Sequence, residues 1–311
     1  MSCMPRSTAG TRFSITTHSH IVTLTIILLV YLSQCVKVLR RVVKMDPKGK
    51  VALVTGGIQG IGLAIAKELL RQGVKGLSIC DVNASKAATV LQELEKEFGK
   101  NRVLFMKTDV SKGEEIEEAF KGTIKKFDEL HIVVNNAGIC NEKKWKESVA
   151  INVNGLIQGA FTALKYIGKN NGGKGGVVVN TGSIAGLGGG VNVTPVYNAT
   201  KHAVIGFTRS FGSDFIYQQT GIRMMVMCPG YTMSEIISSA TPEQTAITYY
   251  NDWMTEFGRE VELHKPPQKA ENVGNGVLHM IREGKNGSVW VCCNNKPAYE
   301  IVIPPFEQLR V

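Results

Sequence analysis

The chain has 311 residues, 43% of them apolar, and a formal net charge of +10. This length and composition suffice to bury one sizeable core, so a single domain with an extension is expected. The seven cysteines show no C-x-x-C spacing and the six histidines form no ligand cluster. The sequence therefore predicts reduced thiols, with neither a disulfide framework nor a metal site.

Most of the excess charge lies near the N-terminus. Residues 1–44 contain six basic and no acidic residues, so subtracting six from ten leaves +4 on residues 45–311. A domain of this size with so small an excess has no basic stripe of the kind that binds phosphates. No nucleic-acid partner is therefore predicted.

Residues 19–41 contain a nearly unbroken apolar run from Ile21 to Leu32, followed by basic residues from Lys37 to Arg41. The run is short for a spanning helix, which needs ~20 apolar residues, and no clear signal-peptide cleavage site follows it. If it inserts in a membrane, its positive flank would keep the following domain in the cytosol. The expected location is nevertheless the cytoplasm, as it would be if Met45 is the functional start, and membrane attachment is the alternative.

A glycine-rich turn, Gly56 to Gly62, follows the apolar, β-rich run from Lys50 to Thr55 and precedes a helical pattern from Leu63 to Gln72. A strand, a glycine-rich turn and a helix N-terminus together point backbone N–H groups at a pyrophosphate. A dinucleotide is the expected ligand. The spacing G-x-x-x-G-x-G departs from the common G-x-G-x-x-G, so a plain strand-to-helix turn is the alternative.

Asp81 ends the next apolar run, which begins at Gly76. It lies about 20 residues past the glycines, where a ribose-binding carboxylate is expected. A carboxylate there accepts hydrogen bonds from ribose hydroxyls and repels a 2′-phosphate. NAD is therefore favoured over NADP, and no arginine directly follows Asp81 to reverse the preference.

Two more strands are predicted before the middle of the chain, from Arg102 to Val110 and from His131 to Val134. Asp109, near the end of the first, is placed to meet an adenine edge. The second ends in Asn135-Asn136-Ala137-Gly138, whose small and amide residues let the backbone approach a ligand while polar groups stay paired.

The candidate catalytic residues follow a β-rich run from Gly176 to Asn180. Ser183 comes directly after this run, and its hydroxyl is placed to bind a substrate oxygen. Tyr197 and Lys201 lie four residues apart on one helical face, so the ammonium can favour the ionised phenol. A free tyrosine titrates near pH ~10 and needs such help to act as a base at neutral pH. Taken alone, such a pair is more often amphipathic, with a snorkelling lysine.

Together these motifs resemble the short-chain dehydrogenase/reductase family. They are Thr55-Gly56 to Gly60-Ile61-Gly62, Asn135-Asn136-Ala137-Gly138, Ser183, Tyr197-x-x-x-Lys201 and Pro229-Gly230, within a resemblance from about Lys48 to Trp290. The stretches Asn141 to Trp145, Asn171 to Gly176 and Pro195 to Ser210 are similar to the branch that holds NAD-dependent 15-hydroxyprostaglandin dehydrogenases and insect alcohol dehydrogenases.

The resemblance implies an α/β fold with a doubly wound (Rossmann) parallel sheet of about seven strands, ordered 3-2-1-4-5-6-7, and helices on both faces. Helical patterns at Ala84–Phe98, Glu114–Phe127, Val149–Ile167 and Val196 to about Gln218 fit this fold. It also implies a homodimer or homotetramer formed through the helices at Val149 and Val196. Residues 45–311 would form one domain, with a substrate lid at about 231–267.

The resemblance further implies a catalytic tetrad of Asn152, Ser183, Tyr197 and Lys201. Tyr197 would exchange a proton with the substrate, which Ser183 orients. Lys201 would lower the tyrosine pKa and hold the nicotinamide ribose, and Asn152, with Asn154 as a nearby alternative, would support a water chain to Lys201. The implied cofactor is NAD, bound by Gly56, Gln59, Gly60, Ile61, Gly62, Asp81, Val82, Asp109, Val110, Asn136, Tyr197, Lys201, Pro229, Gly230, Thr232 and Ser234.

The expected activity is NAD-dependent oxidation of a secondary alcohol to a ketone. Ser183, Thr194 and Tyr197 are the implied substrate contacts, and Thr194 replaces a glutamine of the prostaglandin enzymes. A lipid or hydroxy fatty acid is the expected substrate, and small alcohols, as in the insect enzymes, are the alternative. A non-catalytic dinucleotide-binding protein is the third hypothesis, which the intact tetrad opposes.

Overall fold

The structure is a computed structural model, and it describes residues 44–189, 193–234 and 266–309 together with residues 255, 258, 259 and 262. Eight strands lie in these residues: β1 Val51–Thr55, β2 Gly76–Asp81, β3 Val103–Lys107, β4 Ile132–Asn135, β5 Gly176–Thr181, β6 Ile222–Pro229, β7 Val289–Cys292 and β8 Tyr299–Ile301. They form one sheet in the order β3-β2-β1-β4-β5-β6-β7-β8.

The strands β1 to β7 pair in parallel, and β8 pairs antiparallel with β7. The predicted doubly wound sheet is confirmed, including the order of its first seven strands. The added strand β8 has three residues, two of them exposed. A short edge strand of this kind has no apolar run to reveal it in a sequence.

Helices cover both faces of the sheet. They are α1 Gly60–Arg71, α2 Ala84–Phe98, α3 Gly113–Phe127, α4 Trp145–Val149, α5 Leu156–Ile167, α6 Pro195–Phe211, α7 Asp214–Thr220 and α8 Ala270–Glu283, with a π-helical turn at Ala150–Gly155 and 3₁₀ turns at Lys169–Asn171, Ile184–Leu187 and Phe306–Leu309. Strands β1, β4 and β5 are fully buried, as expected for parallel strands covered on both sides.

Each face of the sheet has its own apolar layer. On one face, Leu69 of α1 and Val277 of α8 pack in the same cluster as the side chains of β1. On the other face, Phe120 of α3 and Ala163 of α5 pack in a second cluster. Because the strands are parallel, their carboxyl ends meet at one edge, and the candidate site lies there.

Three predicted elements differ in extent from the observed ones. The π-helical turn interrupts the helical pattern predicted from Val149 to Ile167. The spacing of apolar residues in the sequence cannot distinguish such a turn from α-helix. The predicted long helix from Val196 is two helices, because Ser213 is extended and its Oγ accepts a hydrogen bond from the Ile216 N–H at 3.3 Å, which starts α7 anew. Strand β3 ends at Lys107 rather than Val110.

The predicted N-terminal extension falls outside the described residues except for Lys44, and so does most of the predicted lid at 231–267. In the part of the chain that the structure describes, none of the helices has the length and apolar character needed to cross a membrane.

Candidate active site

The glycine-rich turn after β1 has room only for glycine. Gly56 and Gly60 have φ angles of +62° and +54°, in the left-handed region. A Cβ atom at Gly62 would lie 2.0 Å from the carbonyl oxygen of Gly56, and one at Gly56 would lie 2.8 Å from the Cα of Ala137. Gly56 and Gly62 thus meet backbone that cannot move aside, and the positive φ angles favour glycine at 56 and 60, which accounts for the unusual glycine spacing.

The helix that follows this turn keeps a free N-terminus. Gln59 is the N-cap of α1 but makes no side-chain capping hydrogen bond, and the first turn of α1 contains no acidic residue. Ile61, by contrast, packs against the core. A helix start without a cap from its N-cap side chain and without an acidic residue in its first turn fits a phosphate group. The residues present therefore fit a dinucleotide.

Asn136 holds the glycine turn in shape. Its Nδ2 donates to the carbonyl oxygens of Thr55 and Gly56, both at 3.1 Å, and the backbone N–H of Asn136 donates to Thr55 Oγ1 at 3.0 Å. Thr181 Oγ1 donates to Asn136 Oδ1 at 3.3 Å. Asn136 thus lies at the predicted place, but its amide is engaged with the turn. The sequence reasoning gave no role to Thr55, although it begins a motif of the family resemblance, or to Thr181, whose signal was its position at a strand end.

Asp81 joins the end of β2 to the same turn. Its carboxylate accepts hydrogen bonds from the backbone N–H of Ile58 at 3.2 Å and of Asn83 at 3.0 Å. Only 9% of the residue is exposed, whereas the adjacent Val82 is 58% exposed. Asp81 therefore lies beside the turn, where a ribose-binding carboxylate is expected.

Asp109 and Val110 lie in the loop after β3. The Asp109 carboxylate accepts from the Ser111 hydroxyl at 2.7 Å and from its N–H at 3.0 Å, and the hydrogen bond from the hydroxyl is the main reason its pKa is lowered. Val110 lines a pocket together with Ala137 and Leu156. This loop stands at the same edge of the sheet, though it is not part of the strand that was predicted there.

The four predicted catalytic residues converge. Lys201 Nζ donates to the Thr181 carbonyl at 2.9 Å and lies 5.5 Å from the centroid of the Tyr197 ring. Ser183 lies close enough to Tyr197 for its side chain to oppose the rise of the phenol pKa. An atom at the Cβ position of Gly138 would lie 3.2 Å from Asn152 Oδ1 and 3.6 Å from Lys201 Nζ. Asn152 and Lys201 thus flank the same glycine.

Asn152 lies in the π-helical turn, and three hydrogen bonds to residues outside the turn hold its side chain in place. Its Oδ1 accepts from the Ile139 N–H at 2.9 Å, and its Nδ2 donates to the Ile139 carbonyl at 2.8 Å and to Thr200 Oγ1 at 3.1 Å. Asn152 is 1% exposed, while Asn154 is on the surface. Of the two asparagines, only Asn152 therefore lies beside Lys201. Single π-helical turns are often found at functional sites.

Burial disfavours the charged form of both members of the tyrosine–lysine pair. It raises the pKa of the Tyr197 phenol, with a smaller contribution from the Cys140 thiol, while the hydrogen bond to Ser183 opposes the rise. Burial also lowers the pKa of the Lys201 ammonium to about 8. The expected lowering of the tyrosine pKa by Lys201 is not seen in this structure, where burial of the phenol is the largest influence on its pKa.

Two thiols near Tyr197 carry no charge at neutral pH. Burial raises the pKa of Cys140 and of Cys228 to about 12. A thiolate is the reactive form of cysteine, so neither is suited to act as a nucleophile. Among the described residues there is also no group of histidine, cysteine and acidic side chains that could hold a metal ion.

Thr194 is buried at the start of α6, with 3% of the residue exposed. Its Oγ1 donates to Asn198 Oδ1 at 3.2 Å, within its own helical turn. The structure therefore brings Thr194 near Tyr197 but directs its hydroxyl to Asn198. Residues 190–192 of the loop before it lie outside the described residues.

The turn after β6 contains the last predicted cofactor contacts. Pro229 ends β6, and a Cβ atom at Gly230 would lie 2.6 Å from the sulfur of Cys293. Thr232 is 2% exposed, and its hydroxyl donates to the Gly230 carbonyl at 2.7 Å. Ser234 Oγ donates to the Thr232 carbonyl at 3.2 Å. The hydroxyls of Thr232 and Ser234 thus shape this turn.

Glu142 is a buried acid that the sequence reasoning did not assign to the site. Its Oε2 accepts from the Val196 N–H at 3.0 Å and its Oε1 from the Tyr197 N–H at 2.9 Å. Burial raises its pKa, and these two hydrogen bonds oppose the rise. Only the stretch Asn141 to Trp145 pointed to this region, through a resemblance that gave the acid no role.

Residues 50–245 match a protein-family model described as short chain dehydrogenase. Over 255 residues the chain is 34% identical to 15-hydroxyprostaglandin dehydrogenase (NAD(+)) of Homo sapiens, covering 81% of this chain and 94% of the human protein. It is 38% identical over 253 residues to the protein of the same name from Bos taurus, covering 81% and 94%. Over 248 residues it is 30% identical to alcohol dehydrogenase 1 of Ceratitis cosyra, covering 79% and 93%.

Solved structures share the fold. Levodione reductase matches with a TM-score of 0.67 and 24% identity, over 79% of this chain and 96% of that structure. A short chain dehydrogenase/reductase from Burkholderia phymatum in complex with NAD matches with a TM-score of 0.65 and 22% identity, over 78% and 89%. The resemblance seen in the sequence motifs is confirmed by these comparisons.

Proposed function

The chain belongs to the short-chain dehydrogenase family, and we propose that within it the protein oxidises a secondary alcohol to a ketone by hydride transfer. The observation that carries the proposal is the convergence of Ser183, Tyr197 and Lys201 at the carboxyl edge of the sheet. A hydroxyl, a phenol and an ammonium gathered at one edge of the sheet are the groups needed to bind an alcohol oxygen and remove its proton.

NAD is the proposed cofactor. The turn from Gly56 to Gly62 would receive the pyrophosphate, Asp81 the adenosine ribose, and the turn from Pro229 to Ser234 the nicotinamide end. When bound, NAD supplies the hydride acceptor. The Asp81 carboxylate supports NAD over NADP because it would repel a 2′-phosphate at close range. Further support comes from the relatives of Homo sapiens and Bos taurus, which are named 15-hydroxyprostaglandin dehydrogenase (NAD(+)).

The protein's own residues would handle the proton. Ser183 would hold the substrate oxygen, and Tyr197, in its phenolate form, would take up the proton that this oxygen releases and become the neutral phenol. The ammonium of Lys201, fixed by its hydrogen bond to Thr181, supplies positive charge beside the phenol and would hold the nicotinamide ribose. Asn152, held rigidly to Ile139, would order water next to Lys201 and so connect the site to solvent.

The proposed substrate is a lipid or hydroxy fatty acid whose secondary hydroxyl is oxidised, as it is in a 15-hydroxyprostaglandin. Sequence identity of 34 to 38% to enzymes named for that reaction supports this choice. The 30% identity to an insect alcohol dehydrogenase makes a small secondary alcohol the second candidate. Thr194, in place of a glutamine, and the proposed lid at 231–267 would decide between them.

The test is turnover by the full-length protein, followed as NADH formation. A panel of hydroxy-eicosanoids and short secondary alcohols separates the two substrate classes, with NADP in parallel reactions as the control for cofactor choice. Preference for short alcohols would overturn the lipid assignment. Tight NAD binding without turnover of any alcohol would instead support a non-catalytic dinucleotide-binding protein.

We also propose that the protein is a homodimer or homotetramer formed through α5 and α6. Phe161 of α5 is 51% exposed and stacks edge-on against Phe207 and Phe211 of α6, with ring centroids 6.3 and 6.0 Å apart. An exposed aromatic side chain backed by further rings on a helix pair is typical of a protein interface. Phe161→Asp should shift the mass measured by light scattering to that of the monomer.

The proposed location of the enzyme domain, residues 45–311, is the cytoplasm. Membrane attachment through residues 19–41, with this domain facing the cytosol, is the alternative. Fractionation of cells, with detection of a peptide from residues 1–44 by mass spectrometry, distinguishes the two.

A further inference from the structure

Helix α6, which carries Tyr197 and Lys201, begins without a cap of its own. Its N-cap residue Thr194 makes no side-chain capping hydrogen bond, and Pro195 at the first position has no N–H. The next two backbone donors are those of Val196 and Tyr197. A helix end of this kind needs acceptors from elsewhere, because its first N–H groups have no partners within the helix.

Glu142, more than fifty residues earlier in the chain, supplies both acceptors. One carboxylate oxygen lies 3.0 Å from the Val196 nitrogen and the other lies 2.9 Å from the Tyr197 nitrogen. The residue is 4% exposed. Its segment is itself fixed, because Asn141 Oδ1 accepts from the Lys144 N–H at 3.0 Å and the Asn141 carbonyl accepts from Ser148 Oγ at 2.8 Å.

The charge of Glu142 is matched by the helix rather than by a cation. In the described residues no ion pair includes Glu142, so its carboxylate is balanced by two N–H donors and the positive end of the helix dipole. A glutamine of the same size could accept only one of these bonds, since its amide nitrogen would face the second N–H. The arrangement therefore depends on a carboxylate.

The rest of α6 is anchored separately. Asn180 Nδ2 donates to Thr208 Oγ1 at 2.9 Å, and Lys201 Nζ is bonded to the Thr181 carbonyl. Loss of the Glu142 carboxylate would thus loosen the first turn, with Tyr197, while Lys201 stays attached to the sheet. The distance between phenol and ammonium would change, and so would the position of the phenol relative to Ser183.

We propose that Glu142 is a positioning residue for Tyr197: by holding the first turn of α6 it fixes the phenol against Ser183 and Lys201. This inference rests on the proposed role of Tyr197 in proton transfer. If Glu142 has this role, its loss should affect cofactor binding and the chemical step differently. Cofactor binding at the glycine turn should be indifferent to Glu142, whereas the chemical step, which tolerates little misplacement of reacting groups, should depend on it.

The test compares full-length Glu142→Gln with Glu118→Gln, which neutralises an exposed carboxylate that pairs with Lys121 on α3. In Glu142→Gln we expect kcat to fall about tenfold. The reason is that a lost helix cap makes the productive position of Tyr197 less favourable by a free energy that corresponds to about this rate ratio. The dissociation constant for NAD should stay within about twofold of wild type. Amide hydrogen exchange of the peptide containing Val196 and Tyr197 should become faster. Glu118→Gln should change none of these.

An unchanged kcat in Glu142→Gln would overturn the proposal, and so would a fall that disappears once rates are divided by the folded fraction. If Glu142→Gln does not fold, Glu142→Asp keeps the charge but shortens the reach, and it should show the same loss of kcat with NAD affinity retained. A wild-type protein that turns over no alcohol would refute the proposed function instead. In that case the exchange measurement still decides whether Glu142 holds the start of α6.

Discussion

Lys201 Nζ is hydrogen-bonded to the carbonyl oxygen of Thr181 at 2.9 Å, so the ammonium is tied to the last residue of β5 rather than to the Tyr197 hydroxyl. Lys201 is 4% exposed, and burial lowers its pKa from 10.5 to about 8. A buried ammonium bonded to one carbonyl is costly to the fold. Its retention is understandable if the positive charge serves the reaction.

Replacing this lysine should therefore stabilise the protein while it stops catalysis. Lys201→Met removes the buried charge, and at pH 7 it should raise the free energy of unfolding by up to about 3 kcal/mol, the equivalent of the pKa shift. The wild-type protein loses this stability as the pH falls from 10.5 toward 8, because the unfolded chain takes up the proton first. The gain from Lys201→Met should hence vanish at high pH.

Thermal unfolding at pH 7 and pH 10 measures this effect, with NADH formation as the activity readout. Lys75→Met is the control, since Lys75 also donates to a backbone carbonyl, that of Phe127, but its side chain is 51% exposed. A Lys201→Met protein that is less stable than wild type at pH 7 would contradict the assigned burial cost.

Tyr197→Phe should abolish turnover without weakening NAD binding. The substitution removes the phenolic oxygen, which would take up the substrate's proton, but keeps the ring. General acid–base catalysis contributes about 10²- to 10⁴-fold, so kcat should fall by at least that range. Steady-state kinetics and NAD titration test this, with Tyr299→Phe on the exposed strand β8 as the control. Activity near wild type in Tyr197→Phe would exclude the tyrosine as the acid–base group.

From the sequence, the residues with chemical roles could be predicted better than the residues that hold them in place. Tyr197, Lys201 and Ser183 were recognisable because spacing along a helix and position after a strand follow from local rules. Glu142, Thr55 and Thr181 were missed as site residues because their partners lie far away in the chain and come close only through the order of the sheet.

The pKa shifts and the ends of the helices were equally hard to predict from the sequence. A helix periodicity contains no information about depth, so complete burial of the Lys201 ammonium, and its effect on the pKa, required the structure. The break between α6 and α7 depends on one serine cap within an otherwise helical pattern. The parallel sheet itself was predictable, since its buried strands are continuous apolar runs between glycine turns.

Asp81→Asn should relax the preference for NAD over NADP. The backbone N–H groups of Ile58 and Asn83 donate to different oxygens of Asp81, so asparagine keeps an acceptor for one of them, while the charge that repels a 2′-phosphate is lost. Removing one such repulsion at close range is worth about 1–3 kcal/mol, or roughly a 5- to 150-fold change in the NADP to NAD ratio of kcat/KM. Parallel assays with both cofactors measure the ratio. Asp128→Asn, on the surface, is the control, and an unchanged ratio in Asp81→Asn would place the ribose elsewhere.

His131 should make the fold sensitive to mild acid. The Val51 N–H at the start of β1 donates to His131 Nδ1 at 3.2 Å, a bond that only the neutral ring can accept. Burial lowers the His131 pKa below 6.5, and the nearby cations add to this while Glu129, 3.6 Å from Nε2, opposes it. Those cations are Lys50, Lys174 and Lys75.

The sign follows from the depressed pKa. Below about pH 6.5 the unfolded chain binds a proton that the folded one refuses, so stability is present above this pH and falls as the pH is lowered. Urea unfolding between pH 8 and pH 5 should show this decline in wild type and a weaker one in His131→Asn, which offers a carbonyl acceptor that does not titrate. His202→Asn, at an exposed position on α6, should keep the wild-type slope. Equal slopes in all three proteins would mean that His131 is not the titrating group.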